Sequence, residues 1–151
     1  MKYLLSFILL FSLIGCNNNE NGVNIGDNEL ENVDEQVSNL VEDYYLNGIA
    51  KANLQDYIGA ISDYTKAIEL DPKDEEKYID RGNAKAQLQD YRGAISDYSK
   101  AIELDPKDGP YHNRGNAKDE LQDYRGAISD YNKEIELNKT SGLVKYTYKS
   151  R

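Results

Sequence analysis

Apolar residues fall along the chain in three patterns. From Leu4 to Ile14 they form an almost unbroken run behind the basic Lys2. A membrane-spanning helix needs roughly 20 apolar residues, so the run is too short to cross a bilayer and fits the hydrophobic region of a secretory signal. Beyond it the spacing turns helical: Leu30, Val33, Val37, Leu40 and Tyr44 recur at steps of 3, 4, 3 and 4. That stripe predicts a helix over roughly 28–40, with Asp27 as its N-cap. Further on, Tyr57, Ala60, Tyr64 and Ala67 step by 3, 4 and 3, and Tyr91, Ala94, Tyr98 and Ala101 repeat those steps. Each set is the buried face of a short helix. Between the first run and the first helix, residues 17–27 are Asn- and Gly-rich and read as a flexible tether that cannot bury a core. The pattern predicts an all-α chain.

The short helices belong to an internal repeat. Residues 52–74 and 86–108 are identical at 20 of 23 positions, at an offset of 34 residues. A third copy, Asp119 to Lys139, follows at an offset of 33. The missing residue lies in the turn, where Asp105 to Pro110 replaces the longer Asp71 to Lys77. Each copy places a large aromatic, a small residue and a second aromatic on one helical face, and Pro72 and Pro106 stand where the helix must stop. Asp56, Asp90 and Asp123 stand where they can cap the second helix of each unit.

This period and these residue types resemble the tetratricopeptide repeat (TPR), a helical hairpin that stacks into a solenoid. In the register of that family, Tyr44, Tyr78 and Tyr111 open the first-helix motif, and Gly48, Gly82 and Gly115 follow four residues later. The second helices carry Tyr57, Ala60 and Tyr64, then Tyr91, Ala94 and Tyr98, then Tyr124, Ala127 and Tyr131. The aromatics fill the space between paired helices, and Gly and Ala admit close approach where helices cross. The resemblance implies three repeats over 41–138, divided near 41–74, 75–108 and 109–141, preceded by the flanking helix. Three units are about the minimum for a stable stack, because each needs neighbours to cover its apolar face.

Two features depart from the family pattern. Gly59, Gly93 and Gly126 sit early in the second helices, where each costs about 1 kcal/mol relative to Ala. In the third copy Glu134 takes the small packing position and Lys139 the proline position, which argues against an ordinary repeat stacking beyond it. Against that, Tyr148 to Arg151 echoes Tyr78 to Arg81. The basic segment 142–151 is therefore expected to be a terminal cap or the opening of a fourth unit.

In TPR proteins the first helices line a concave groove for a peptide or helix of a partner. Carried onto this chain, the groove positions are Tyr45 and Ile49 in the first repeat, Ile79, Asn83 and Gln87 in the second, and His112, Asn116 and Glu120 in the third. The amides of Asn83 and Asn116 offer a donor and an acceptor to a peptide backbone, or serve the scaffold. Leu46 and Ile49 have the alternative of packing on the 28–40 helix. The lysine–asparagine clamp with which some members hold a chaperone's C-terminal carboxylate does not fit. Tyr45 and His112 stand where lysine would help, and Asp80 is acidic.

The N-terminal run ends in Leu13-Ile14-Gly15-Cys16, which resembles the lipobox of bacterial lipoproteins. That resemblance implies cleavage after residue 15 and lipid attachment to Cys16. Residues 16–40 then become a lipidated acidic tether and short helix, and the protein is expected on a bacterial envelope membrane. Asn17 replaces the Asp that favours the inner membrane in the enterobacterial sorting rule, which leans toward the outer membrane.

Composition narrows the function. The 151 residues carry 18 Lys and Arg against 27 Asp and Glu, a balance that argues against a general nucleic-acid binder. Eight of those acids lie in residues 17–43, where no base opposes them before Lys51. One Cys and one His cannot build the usual zinc sites, and one Cys cannot form an internal disulfide. The Asp71–Asp74 and Asp105–Asp108 turns lack the glycine and distal glutamate of a calcium loop and read as turns with N-caps. No nucleophile–base pair or phosphate loop stands apart from the repeat positions. An enzyme, a cofactor, a metal and a small-molecule substrate are therefore not expected. Of the 13 Tyr, nine fall on packing positions and are expected to be scaffold. The sequence points to an envelope adaptor or assembly module that binds a protein or peptide. A self-associating repeat protein or a fragment of a longer TPR array are the alternatives.

Overall fold

The computed structural model describes residues 26–142, which form six α-helices: α1 (Gly26–Asn53), α2 (Tyr57–Leu70), α3 (Glu75–Gln87), α4 (Tyr91–Leu104), α5 (Asp108–Glu120) and α6 (Tyr124–Gly142). No strand occurs among the described residues. The chain divides into two units, residues 1–32 and 33–151, and the repeats lie in the second. The N-terminal apolar run, Cys16 and the segment from Leu143 to Arg151 lie outside the described residues.

The helix expected to end near residue 40 does not end there. It is continuous with the first helix of the first repeat, 28 residues in all. Nothing from Ser38 to Tyr44 breaks it, since the segment holds neither Pro nor Gly. Asp27 consequently falls inside the first turn, not at the cap. Val33, Val37 and Leu40 are exposed, and Val41 is the buried residue of this stretch. Leu46 is exposed too, and Ile49 packs against the Ala60–Tyr64–Ala84 cluster; neither can pack on a helix of which it is part.

Each hairpin turn is built the same way. The first helix closes with a bond from the Gln55 amide to the Ala52 carbonyl and from the Asp56 amide to the Lys51 carbonyl, both 2.9 Å. That is a Schellman closure, with Gln55 left-handed at φ 63° where glycine is usual. Gln89 and Gln122 repeat it at φ 62°. The following Asp then caps the next helix: Asp56, Asp90 and Asp123 each accept from the backbone N–H three residues on, at Gly59, Gly93 and Gly126, all at 3.0 Å. A Cβ on those glycines would lie about 2.1–2.2 Å from the capping carboxylate oxygen, so the glycine the helix disfavours is what lets the cap close. Asp74 caps α3 by accepting from Glu76 N at 3.0 Å. Asp108 is not a cap but lies within α5, which begins behind Lys107 with no side-chain cap bond.

Within each hairpin a first-helix glycine meets a second-helix tyrosine. A Cβ on Gly48, Gly82 or Gly115 would stand 2.6–2.7 Å from the ring of Tyr64, Tyr98 or Tyr131. Ala60, Ala67, Ala94 and Ala101 are fully buried beside them. Between repeats, Ile68 of α2, Tyr78 of α3 and Ala101 of α4 form one cluster, with Ile79 and Leu104 packed on it. Pro72 and Pro106 stand two residues past the ends of α2 and α4, behind the C-caps Asp71 and Asp105, and stop them. With Lys139 at the corresponding place, α6 runs on to Gly142.

A charged network runs through the same packing. Arg81 donates to both carboxylate oxygens of Asp97 at 3.0 and 2.7 Å and to Thr65 Oγ1 on the preceding repeat at 3.1 Å. Lys85 closes on Asp97 at 2.7 Å. Arg114, Lys118, Asp130 and Ser99 repeat the arrangement one unit on. The first repeat keeps only Lys51–Asp63, at 2.5 Å, because Asn47 stands in the arginine position. The TPR pattern carries Leu and Tyr where this chain has Arg and Lys.

Candidate functional site

The concave side of the repeats opens into two adjoining chambers. The first, about 390 Å³, is lined by Tyr45, Ile49, Ala52 and Asn53 of α1, Tyr57 and Tyr64 of α2, and Glu76, Asp80, Asn83, Ala84 and Gln87 of α3. The second, about 510 Å³, is lined by Asn83, Ala86, Gln87 and Gln89, Tyr91 and Tyr98 of α4, and Asn113, Asn116, Ala117 and Glu120 of α5. Asn83 and Gln87 line both and stand at the divide. The small residues of the first helices leave this space, and the tyrosines of the second helices floor it.

Six of the expected groove residues meet here: Tyr45, Ile49, Asn83, Gln87, Asn116 and Glu120. Ile79 and His112 do not. Ile79 is drawn into the cluster of Ile68, Tyr78 and Ala101. His112 lies with Nδ1 3.0 Å from Glu134 Oε2 and its ring 5.9 Å from Tyr131, so the misplaced charge at Glu134 is met by the one histidine. Tyr57, Tyr64, Tyr91 and Tyr98, expected only as scaffold, line the chambers as well. Tyr124 is 57% exposed, with no further repeat among the described residues to cover it.

The two groove asparagines are both scaffold and surface. Tyr98 donates its hydroxyl to Asn83 Oδ1 at 2.9 Å, and Tyr131 donates to Asn116 Oδ1 at 2.8 Å. Asn113 Nδ2 adds a second bond to Asn83 Oδ1 at 3.2 Å. Their carbonyl oxygens are thereby committed, which leaves the Nδ2 donors to the groove. Burial pushes the Tyr98 hydroxyl up to about 12 and the Tyr64 hydroxyl up to about 12, and the Asp80 charge adds to both. These phenols stay protonated donors at any physiological pH.

Tyr45 donates to Asp80 Oδ2 at 2.8 Å across the first chamber. Burial raises the Asp80 carboxyl; the Tyr45 bond lowers it and the Asp74 charge raises it further, leaving the carboxyl above its ordinary value. Burial and Asp80 raise Tyr45 strongly. Sequence reasoning placed Asp80 only as an argument against an anion clamp; its contact with Tyr45 depends on packing across two repeats.

Six helices in successive hairpins, sharing one groove, define a helical-repeat solenoid. The chain belongs to the tetratricopeptide repeat family, whose models match residues 44–74, 76–108 and 109–141. No curated protein matches the chain. Solved structures do. The TPR domain of Arabidopsis OM64 is 27% identical, with 69% of this chain and 87% of that one covered and a TM-score of 0.65. The first TPR of Spaghetti (RPAP3), bound to the HSP90 peptide SRMEEVD, is 28% identical, with 72% and 90% covered and a TM-score of 0.65. The TPR2B domain of yeast Sti1, in a pHsp70 complex, is 29% identical, with 70% and 88% covered and a TM-score of 0.59.

Proposed function

We propose that this protein is a lipid-anchored adaptor of a bacterial envelope that binds an extended peptide segment of a partner in the groove between Tyr45 and Glu120. The observation that carries this reading is the pair of chambers joined at Asn83 and Gln87, with free amide donors above tyrosine floors. An extended peptide has a carbonyl to meet each donor and side chains to fill alternate chambers. The TPR domains solved with chaperone peptides support a peptide as the ligand class. The lipobox-like Gly15-Cys16 supports the anchor, and the unopposed acids of residues 17–43 favour a position of the repeats away from an anionic surface. No catalysis is proposed. Capture of partners by wild type and by the Asn83→Ala/Asn116→Ala variant tests the groove. The account expects capture to fall while helicity is kept; equal capture would place the interface elsewhere. Gln87→Ala, which removes no bond to the scaffold, is a companion that leaves the tyrosines held.

A further inference from the structure

The charges lining the groove are of one sign. Glu76 and Asp80 line the first chamber and Glu120 the second, and among the described residues no Lys, Arg or His lines either. The other well-buried carboxylates of the repeats are all neutralised: Asp63 by Lys51, Asp97 by Arg81 and Lys85, and Asp130 by Arg114 and Lys118. Asp80 is half-buried yet has no cation within ion-pair distance among the described residues, and its bonded neighbour is the neutral Tyr45 hydroxyl. Lys77 does not serve it: its ammonium is held by Asp74 at 2.5 Å and Asp71 at 3.4 Å and lies over the Tyr45 ring, 5.7 Å from its centroid, so the faces left for an incoming cation are those of Tyr57 and Tyr64. Tyr45, Tyr57 and Tyr64 line the same chamber as Asp80, with the Tyr45 and Tyr64 rings tilted at 49° and 5.8 Å apart. Aromatic faces and an uncompensated carboxylate in one chamber attract a cation and repel an anion.

We infer that the partner segment is cationic, and that a Lys or Arg side chain enters the first chamber to pair with Asp80 among Tyr45, Tyr57 and Tyr64. This rests on the peptide-binding reading above and sets its charge. It is opposite in sign to the acidic peptide SRMEEVD that the solved RPAP3 repeats hold. The chamber places a carboxylate within reach of an ammonium or guanidinium whose aliphatic stem lies along the tyrosine faces. The Asn83 donor at the divide then takes a backbone carbonyl of the same segment.

A random heptapeptide library displayed on phage and panned at low salt against the detergent-solubilised full chain tests this. Selected peptides are expected to be enriched in Lys and Arg over Asp and Glu. Their affinity should fall about tenfold in Asp80→Asn, the loss of one charge-assisted contact. Asn at position 80 still accepts from Tyr45, so the fold is preserved. Selection of acidic peptides, selection without charge preference, or cationic peptides indifferent to Asp80→Asn would overturn the inference while leaving the groove a peptide site. Selection of no peptide that depends on Asn83 would strike the peptide-binding reading itself, and the inference with it. Affinity that rises about tenfold when residues 143–151 are deleted would seat the chain's own basic segment in the groove and overturn an outside partner.

Discussion

Gly82 and Gly93 are both helical glycines of the second repeat, and they answer to different neighbours. A Cβ at Gly82 would lie 2.7 Å from Tyr98 Cε1, whose ring is 2% exposed and has nowhere to turn. Overpacking of that kind costs about 1–3 kcal/mol, more than the about 1 kcal/mol of helix propensity gained. Gly82→Ala should therefore lower stability by up to about 2 kcal/mol net in urea unfolding. At Gly93 the clash is with Asp90, an exposed side chain that can swing away. Loss of the cap costs about 1 kcal/mol and the propensity gain is about the same, so Gly93→Ala should change stability by less than about 0.5 kcal/mol. A gain of a full kcal/mol there would contradict the capping account. Asp80 obeys the opposite logic from a structural carboxylate. Its folded pKa is raised, chiefly by burial, so its charge opposes folding above the unfolded value, and stability recovers as pH falls through the raised pKa. Asp80→Asn is expected to raise the melting temperature at pH 7; a lower one would show that the carboxylate supports the fold.

At the scale of the element, the Arg81–Lys85–Asp97 network ties the two helices of the second repeat together, and the Arg81 bond to Thr65 Oγ1 reaches the repeat before it. Asp97→Ala strands two cations beside a 5% exposed site and should cost about 3 kcal/mol. Restoring the apolar pattern with Arg81→Leu, Lys85→Tyr and Asp97→Ala together should be neutral or stabilising, as buried ion networks replaced whole often are. A large loss in the triple variant would mean that the network does more than fill space. In the third repeat burial raises Asp130, but the bonds from Arg114 and Lys118 outweigh it and hold the carboxyl below the usual range. Its contribution is full above the ordinary carboxylate pKa of about 3.9 and is lost as pH falls through the lower folded value. Unfolding followed from pH 7 to pH 2 should show that loss in wild type and less of it in Asp130→Asn. Helix identity and repeat period were legible because Tyr, Ala and Pro recur at helical steps. The join at residue 40 was not, since repeat register says where a motif begins and nothing about whether the backbone breaks there. The Schellman turns were hidden because Gln55, Gln89 and Gln122 occupy a conformation that sequence reading assigns to glycine. Ile79 and His112 share a register position with Tyr45, and only contacts across the hairpin separate their fates.

At the scale of the whole molecule, charge is partitioned: an acidic segment up to Asp43, paired charges between the two helices of each repeat, and an acidic groove. Tyrosine serves as scaffold and as groove lining at once, which composition alone could not reveal. On the proposed lipid anchor, Cys16→Ser should move the protein out of the membrane fraction; unchanged partitioning would defeat that proposal. The central claim is that partners engage the concave side at the divide between the chambers. A photocrosslinking residue placed at Gln87, in both chambers, or at Ile58, 73% exposed and outside them, tests it in living cells. The account predicts a specific adduct from position 87 that disappears in the Asn83→Ala/Asn116→Ala background, and none from position 58. An adduct from position 58 with silence at position 87 would contradict it.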